Sequence, residues 1–535
     1  MKNCKFSPVL FIIPLFILSW GFYYFSLYDT FYSHSIDPEY PYLINGLNAA
    51  IFEFKRIGHF DHPGTPFQMY CGLIIRITHI FTGKNSIVED VFNRPDYYLN
   101  AIHFSLIILQ SVLTLLVGWI GKKRGIKTWH LVVLQSMVLF NMLMLQIFCR
   151  VIPERWLVIT SLLFIIVYLL HGYKHRQPLK FAIGSGIIMG MGIATKFTFL
   201  PILILPLLLI DSNKNRLIYT GTGIASFFFF LLPIIGKFGN YRRFITGIAT
   251  HDGIYGQGAE RMFNPEKMKE SFFQIFNVAP ELAFVIVAIA AAIILSIIYR
   301  KKQGTNQNII LFTGMFFIVA LQILMVSKHF SGHYLVPIFT IYSLFLFLLD
   351  DFFCKIGSFK KWTLIPVILL FVTFTSFSVK RTIEDIEPIK EHVVQREEMR
   401  QYVSEHIPAE AFWFVEPTWM SAPYVENGIV YGLCYCHRRT NYTSVLMNKN
   451  PNIIIYGDSE EQSKIWGEGN VCFDSIVTTG TLVYVYSTPY RRAEALIKII
   501  ETAAERNQVT LSIDTVYSND NLNSHIIAVQ NKHIK

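Results

Sequence analysis

The chain has 535 residues and is strongly apolar: 52% of the residues are hydrophobic, 16% are charged and the mean hydropathy is +0.40. This composition excludes a soluble enzyme of this size and indicates a helical protein that crosses a membrane many times. The net charge of +10 would suit a nucleic-acid partner. However, Lys and Arg form short clusters between apolar segments, which is typical of cytoplasmic loops, so no nucleic acid is expected.

The first apolar segment, residues 8–28, follows Lys2 and Lys5 and is about long enough to cross a bilayer as a helix. Its apolar part is long and bulky and runs into aromatic residues instead of a small-residue cleavage site. We therefore expect a retained first span, with the amino terminus in the cytoplasm.

Further apolar segments bring the total to about eleven spans. They are residues 99–120, 129–148, 156–173, 179–195, 197–210, 217–235, 279–299, 308–326, 334–349 and 362–377. If successive ends alternate between sides, all the short basic loops fall in the cytoplasm. This agreement requires a turn at Lys196. The same alternation places residues 35–66, 150–154, 237–277, 328–333 and everything after residue 380 on the outer side.

The composition changes at Lys380, where a charged helical pattern begins and ends at a proline. Short strand-like segments follow, with one clear helical pattern. The strand-like segments are AFWFVEP, NGIVYGLCYC, NPNIIIYG, TLVYVYS, TLSIDTVY and HIIAVQ, and the helical one is RRAEALIKIIETAAERNQ. We predict a transmembrane domain over residues 1–379, with an outer catalytic loop at 29–98, and a soluble extracytoplasmic α/β domain over 380–535. Residues 67–82 carry Arg76 and His79 and are predicted to form a helix at the membrane interface.

Ionisable side chains cluster just after the first span. Asp37 and Glu39 precede a Tyr-rich helical pattern, and a His-Asp-His-Pro-Gly sequence with His59, Asp61 and His62 interrupts that pattern. Charged groups beside a membrane are costly, so such a cluster suggests function.

Several motifs occur in a fixed order and on one predicted side of the membrane. They are the early Asp after the first span, the Tyr-containing helix, the His-Pro-Gly turn, Arg150 with Pro153-Glu154, GMGIATK and KHFSGHYLVP. Over residues 1–377 this order resembles the C-type (GT-C) membrane glycosyltransferases. Within them it is most similar to the protein O-mannosyltransferase and lipid A aminoarabinose transferase group, which is family 39-like.

The resemblance implies an inverting sugar transfer from a polyprenyl- or dolichyl-phosphate carrier to a lipid, glycan or protein acceptor on the outer face. A lipid phosphate leaves readily, so such a site needs one base and cations for the departing phosphate. Asp37 is the predicted base, although Asp-Pro dipeptides also favour turns. Glu39 is the alternative base. The proline between them departs from the adjacent acidic pair of the family.

Four side chains are predicted to bind the donor phosphate: Arg150, Lys196, Lys328 and His333. Arg150 and Glu154 are four residues apart, so they would share a helix face and form a salt bridge if Arg150 does not reach the phosphate. Lys196 either binds phosphate or extends to the interface. The family often has Arg-Tyr where this chain has His333-Tyr334, and His supplies a cation only when protonated.

The remaining predicted substrate contacts are Glu154, at the start of a span, and five residues in loops. His59, Asp61 and His62 are expected to bind the phosphate or the acceptor, or to flank a simple turn. They lack the spacing of helical zinc ligands, and the resemblance implies no cofactor, although a divalent metal is left open. His251 and Asp252 begin a glycine-containing loop that is either a lid over the substrates or an ordinary solvated loop.

Two other functions remain open from the sequence. A multi-span transporter would also have charges within broken helices, but no two-half symmetry is visible. A glycan polymerase or ligase would share the many-span plan. The expected location is the plasma membrane, which is the inner membrane in a bacterium, with the active site and carboxyl-terminal domain outside the cytoplasm and membrane lipids as neighbours.

Overall fold

A computed structural model describes residues 7–28, 30–31, 39–59, 64–175, 177–252, 256, 258–299, 306–356, 364–416, 425–436, 440–457, 459–487 and 493–533. These residues form two compact units. The first unit comprises the described residues of Met1–Phe25, Phe60–Phe67 and His103–Asp385, and the second those of Ser26–His59, Gln68–Ile102 and Ile386–Lys535. The domain boundary after residue 379 stays a prediction.

Most of the described chain up to residue 406 is helical. The α-helices are α1 Ile12–Ser26, α2 Tyr40–Ala50, α3 Thr65–Thr82, α4 Ile87–Asn93, α5 Pro95–Lys123, α6 Thr128–Gln135, α7 Met142–Gln146, α8 Pro153–Val167, α9 Pro178–Thr195, α10 Ile204–Leu209, α11 Asn213–Leu231, α12 Phe238–Thr250, α13 Pro265–Val278, α14 Glu281–Ile298, α15 Gln307–Lys328, α16 Val336–Thr340, α17 Tyr342–Ile356, α18 Leu364–Glu384 and α19 Ile386–His406. Short 3₁₀ helices include Phe54–Arg56, Phe197–Leu203 and Gly332–Leu335.

The described residues contain nine helices that are long and apolar enough to cross a membrane. Two further predicted spans differ from these nine. Residues 129–148 form a pair of helices, Thr128–Leu139 and Met142–Cys149, bent by 77°, and residues 197–210 form the shorter apolar helix Phe197–Leu209. The chain is therefore a multi-pass membrane protein, and the predicted number of about eleven spans is approximate.

A polar side chain holds the bend between α6 and α7. The Asn141 side chain accepts a hydrogen bond of 2.8 Å from the Leu143 amide and so caps α7. Its amide nitrogen also donates to the carboxylate of Glu281 at the start of α14. Asn141 thus satisfies one backbone N–H that a break inside an apolar segment would otherwise leave unpaired.

Small residues bring α9 and α11 into close contact. A Cβ on Gly190 would lie 2.6 Å from the Gly223 carbonyl oxygen and 2.6 Å from the Ser226 Cβ. The Ser226 hydroxyl donates to the Ile187 carbonyl at 2.8 Å. This is the packing typical of membrane helices, in which small side chains allow the backbones to approach.

The second unit contains a six-stranded mixed sheet. Its strands and helices are β1 Phe412–Val415, α20 Val425–Cys434, α21 Thr440–Lys449, β2 Ile453–Ile455, β3 Lys464–Ile465, α22 Phe473–Thr479, β4 Val483–Ser487, α23 Ala493–Arg506, β5 Leu511–Asn519 and β6 Ser524–Asn531. The strand order is β3-β2-β1-β4-β6-β5. Strand β1 is parallel to β2 and β4, and the other pairs are antiparallel. The predicted carboxyl-terminal α/β fold is confirmed.

The apolar face of α23 covers this sheet. Leu496 and Ile500 are buried with Phe414 of β1 and Val485 of β4. Leu496 and Ile500 are four residues apart and so lie on one face of α23. The apolar positions of the helical pattern seen in the sequence are therefore the ones that pack into the core of the sheet domain.

One predicted strand, NGIVYGLCYC, is wrong, because its residues form α20. The apolar side chains Ile429, Val430 and Leu433 lie three and four positions apart and are all buried, which is a helical spacing. A Cβ on Gly432 would lie 2.9 Å from the Tyr40 backbone, so α20 packs closely on α2.

Candidate active site

Lys196 and Glu154 form a buried pair of opposite charges in the first unit. Helix α9 ends at Thr195, and Lys196 has an extended backbone before the next 3₁₀ helix, which confirms the predicted break. Its ammonium group contacts the carboxylate of Glu154, in the first turn of α8. The two residues are 1% and 0% exposed, so this pair has almost no contact with water.

The segment after α15 brings His333 and Tyr334 to the same pair. His333 Nε2 lies 3.8 Å from Glu154 Oε1. Lys196 Nζ lies 4.9 Å from the centre of the Tyr334 ring, within reach of a cation–π contact. The buried side chain of Gln322 donates a hydrogen bond of 2.8 Å to the Tyr334 carbonyl. Gln322 thereby holds the short helix that carries both aromatic side chains.

Arg150 lies beside this cluster but not on α8. Its backbone is extended (φ −114°, ψ 151°), and α8 begins only at Pro153, so the predicted helical spacing between Arg150 and Glu154 is wrong. Arg150 is 3% exposed and lies within electrostatic range of His333. The carbonyl of Arg150 accepts a hydrogen bond of 3.0 Å from Arg155 Nη1, which also lies 3.1 Å from His103 Nδ1.

Lys196 and Tyr334 also line an apolar cavity of about 320 Å³. Its other lining residues are mainly apolar side chains of α12, α13 and α15, such as Phe244, Met268 and Leu321. Charged groups at the wall of an apolar cavity fit a molecule with an anionic group and a hydrocarbon part.

Lys328 and His329 line the same cavity, but both hold the end of α12. Lys328 Nζ donates to the Ala249 carbonyl at 2.5 Å, and His329 Nε2 donates to the Ile248 carbonyl at 3.1 Å. Burial lowers the pKa of His329 more than this hydrogen bond raises it, and the neighbouring positive charge of Lys328 lowers it further. Both side chains therefore satisfy carbonyls at a helix carboxyl end.

His251 and Asp252 shape the loop between α12 and α13. His251 pairs with Glu260 in an antiparallel bridge, and the Asp252 amide donates to the Ala259 carbonyl at 3.0 Å. The Asp252 carboxylate accepts a hydrogen bond of 3.1 Å from Asn264, the residue that caps α13. These contacts join the two ends of the loop. The role of the loop as a lid stays a prediction.

In the second unit, Glu39 and His59 lie near helix α2. Glu39 is the residue before α2 and is fully buried. The centre of the His59 ring lies 5.5 Å from that of Tyr42 and 5.2 Å from that of Tyr435. The predicted base Asp37 and the predicted contacts Asp61 and His62 lie outside the described residues.

A buried amide, Asn45 of α2, organises the chain around His59. It accepts a hydrogen bond from the Gly58 amide at 2.7 Å and donates to the carbonyls of Pro41, at 2.7 Å, and Tyr435, at 2.9 Å. It thus links α2 to the residue before His59 and to the end of α20.

The structure brings together Glu154, Lys196 and His333, with Arg150 nearby, from four separate segments. The sequence interpretation missed Gln322, Arg155, His103 and Asn45. The signal available for Gln322 and His103 was a polar residue inside an apolar segment, which usually has a specific partner. Among the described residues, no three His, Cys, Asp or Glu side chains are placed to hold a metal ion.

No family model matches the chain, and no curated protein matches it. Solved structures similar to it include two of ArnT from Cupriavidus metallidurans, a lipid A aminoarabinose transferase. The one bound to undecaprenyl phosphate has 9% identity and a TM-score of 0.49, and the apo state has 10% and 0.45, each over 97% of both chains. Both belong to the group that the sequence motifs resemble.

Proposed function

We propose that the chain is an inverting glycosyltransferase that moves a sugar from a polyprenyl phosphate to an acceptor hydroxyl on the extracytoplasmic face of the membrane. The observation that supports this most is that Lys196, which forms a buried pair with Glu154 beside His333, also lines an apolar cavity. A carrier lipid has the matching character, since it joins one phosphate to a long hydrocarbon chain. Polyprenyl phosphates are the class to which the ligand of one ArnT structure belongs.

Lys196 is the proposed main contact of the donor phosphate. An ammonium group has three N–H donors, so it can hold Glu154 and a phosphate oxygen together. Glu154 compensates the buried charge while the site is empty, because an unpaired buried ammonium is strongly unfavourable. Arg150, nearby and almost fully buried, supplies a second cation of the kind that binds phosphate through two parallel hydrogen bonds.

The proposed reaction needs one base. The acceptor oxygen attacks the anomeric carbon, the bond from that carbon to the phosphate oxygen breaks, and the phosphate leaves with the electron pair. Asp37 takes the hydroxyl proton, with Glu39 as the alternative. Lys196 and Arg150 stabilise the charge that develops on the leaving phosphate. Inversion follows because attack and departure occur on opposite faces of the sugar carbon.

A donor panel tests the proposal. The purified protein in lipid nanodiscs is incubated with several polyprenyl-phosphate sugars, with and without a mixed acceptor extract, and released polyprenyl phosphate is measured. We expect release with at least one donor, a strong decrease with Lys196→Met, and no decrease with Lys180→Met, which removes an exposed lysine from α9, the helix that ends just before Lys196. Movement of a substrate across a sealed bilayer without phosphate release would instead establish a transporter.

A further inference from the structure

Arg155, in the first turn of α8, has a buried side chain that contacts three acceptor atoms. It is 1% exposed, although an arginine in an apolar region usually extends its charged end to water. Its Nη1 atom lies 3.0 Å from the Arg150 carbonyl oxygen, 3.4 Å from the Phe148 carbonyl oxygen and 3.1 Å from His103 Nδ1. A guanidinium group has N–H donors and no acceptor, so all three atoms accept from it. Arg155 thus links the backbone of residues 148–150 to α5.

His103 anchors this contact inside α5. It is completely buried, and its ring stacks on the Phe25 ring of α1 with 4.3 Å between the ring centres. Because Arg155 supplies only donors, His103 Nδ1 accepts the hydrogen bond and carries no proton. Residues of three helices, α1, α5 and α8, therefore determine where the guanidinium group lies.

The peptide groups on both sides of Arg150 are held by hydrogen bonds. The Arg150 amide donates to the Ile147 carbonyl at 3.1 Å, and the Arg150 carbonyl accepts from Arg155 at 3.0 Å. Each peptide group is planar, so fixing both planes also fixes the direction in which the Arg150 side chain leaves the backbone. Arg150 lies before α8 and has an extended backbone, which makes the contact with Arg155 important for that direction.

The first turn of α8 contacts the segments of both proposed phosphate-binding cations. Glu154 and Arg155 are adjacent and point about 100° apart around the helix. The Glu154 carboxylate contacts the Lys196 ammonium, and Arg155 holds the backbone of Arg150. We infer that Arg155 is a positioning residue that fixes Arg150 relative to Lys196, so that both cations meet one donor phosphate. This inference rests on the proposed function, in which Lys196 and Arg150 bind that phosphate.

A double-mutant cycle tests whether Arg155 acts through Arg150. Arg155→Lys keeps the positive charge but loses the planar group that reaches several acceptors. Polyprenyl phosphate is titrated in native mass spectrometry against the full-length protein, Arg155→Lys, Arg150→Met and the double variant. We expect Arg155→Lys to weaken binding roughly tenfold when Arg150 is present, since a charged hydrogen bond to the phosphate is lost, and to have no further effect in Arg150→Met.

Two further variants separate positioning from folding. His103→Phe keeps a ring against Phe25 and removes one acceptor of Arg155, so it should also weaken binding only when Arg150 is present. Arg124→Lys is the matched control, because Arg124 donates to the Leu170 carbonyl at 2.6 Å, beyond the other ends of α5 and α8. It should leave binding unchanged. The uncharged polyprenol should bind equally to all variants, because it has no phosphate for Arg150.

The outcomes distinguish this inference from the proposed function. Equal weakening by Arg155→Lys with and without Arg150, no weakening in either background, or an equal loss of polyprenol would overturn the positioning role. Unchanged binding by Arg150→Met alone would also overturn it, whereas a loss with Lys196→Met would still support the proposed donor site. Absence of polyprenyl phosphate binding by the unmodified chain would contradict the proposed function itself.

Discussion

Lys196 shows how the site can keep a charge away from water. Its ammonium is buried against Glu154, and the Tyr334 ring lies beside it. Removing one member of a buried ion pair commonly costs about 3–5 kcal/mol, whereas removing both costs far less. Variants that change Lys196 and Glu154 together therefore separate phosphate binding from folding.

Asp37→Asn tests the proposed base. We expect transfer to fall by roughly a hundredfold or more, because general bases contribute about that much, while donor binding and membrane insertion are retained. The measurement is single-turnover release of polyprenyl phosphate. Glu39→Gln is the matched control. Near-normal turnover in Asp37→Asn together with a large loss in Glu39→Gln would transfer the role of base to Glu39.

Asn45→Ala tests the hydrogen-bond network around His59. The substitution leaves the Gly58 amide and the Pro41 and Tyr435 carbonyls without their side-chain partner. We expect the free energy of unfolding to fall by roughly 1–3 kcal/mol, measured by thermal unfolding in detergent. The control is Asn85→Ala, at an exposed loop position. The same melting temperature in both variants would show that the hydrogen bonds of Asn45 do not stabilise the fold.

At the scale of single residues, the sequence indicated the side chains of the candidate site more accurately than it indicated which of them are in contact. Lys196, Glu154 and His333 were identifiable because each interrupts an apolar region. Their contact was not predictable, since the pair is 42 residues apart and forms only when α8 and α9 pack. The predicted helical spacing of Arg150 and Glu154 was wrong because α8 begins at Pro153, three residues after Arg150.

At the scale of helices, the contact between α9 and α11 depends on glycine. Gly186 and Gly190 are one helical turn apart, and a Cβ on Gly186 would lie 2.8 Å from the Tyr219 carbonyl oxygen. Because α9 leads directly into Lys196, a change in this packing is expected to move the Lys196–Glu154 pair as well.

Gly190→Ala tests this packing. The added methyl group meets backbone and side-chain atoms of α11, so we expect a loss of roughly 1–3 kcal/mol in stability. Gly221→Ala is the control, since a Cβ there has no neighbour within 4 Å. Thermal unfolding in one detergent compares the two. A melting temperature for Gly190→Ala equal to that of Gly221→Ala would contradict the close contact.

The helices were predictable where an apolar pattern continues over many residues. Each predicted apolar segment coincides with helical structure, because a run of apolar residues in a bilayer must pair its backbone internally. Residues 427–436 were assigned to a strand because short apolar runs fit both periods, whereas residues 425–434 form a helix that packs on α2.

At the scale of the whole molecule, the proposed orientation follows from charge. The basic loops are assigned to the cytoplasm and the carboxyl-terminal sheet to the other side. The span number alone leaves the side of the carboxyl terminus undecided, because the described residues give nine spans, or ten with the bent pair.

Reporter fusions test this orientation. In a bacterial host, we expect a fusion after residue 535 to be active with alkaline phosphatase and dark with green fluorescent protein. A fusion in the basic segment 300–306 should show the reverse. Fluorescence from the carboxyl-terminal fusion would place the sheet domain in the cytoplasm and would exclude the proposed location of the reaction.

Retention of a polyprenyl phosphate by the detergent-purified protein tests the proposed donor site most directly. Native mass spectrometry compares the unmodified chain, Lys180→Met and the double variant Glu154→Gln/Lys196→Met, which removes both buried charges. The lipid phosphate should remain bound to the first two, and binding should weaken by about tenfold or more in the double variant, because a charged hydrogen bond is lost. Equal retention by all three proteins would contradict a donor phosphate at Lys196.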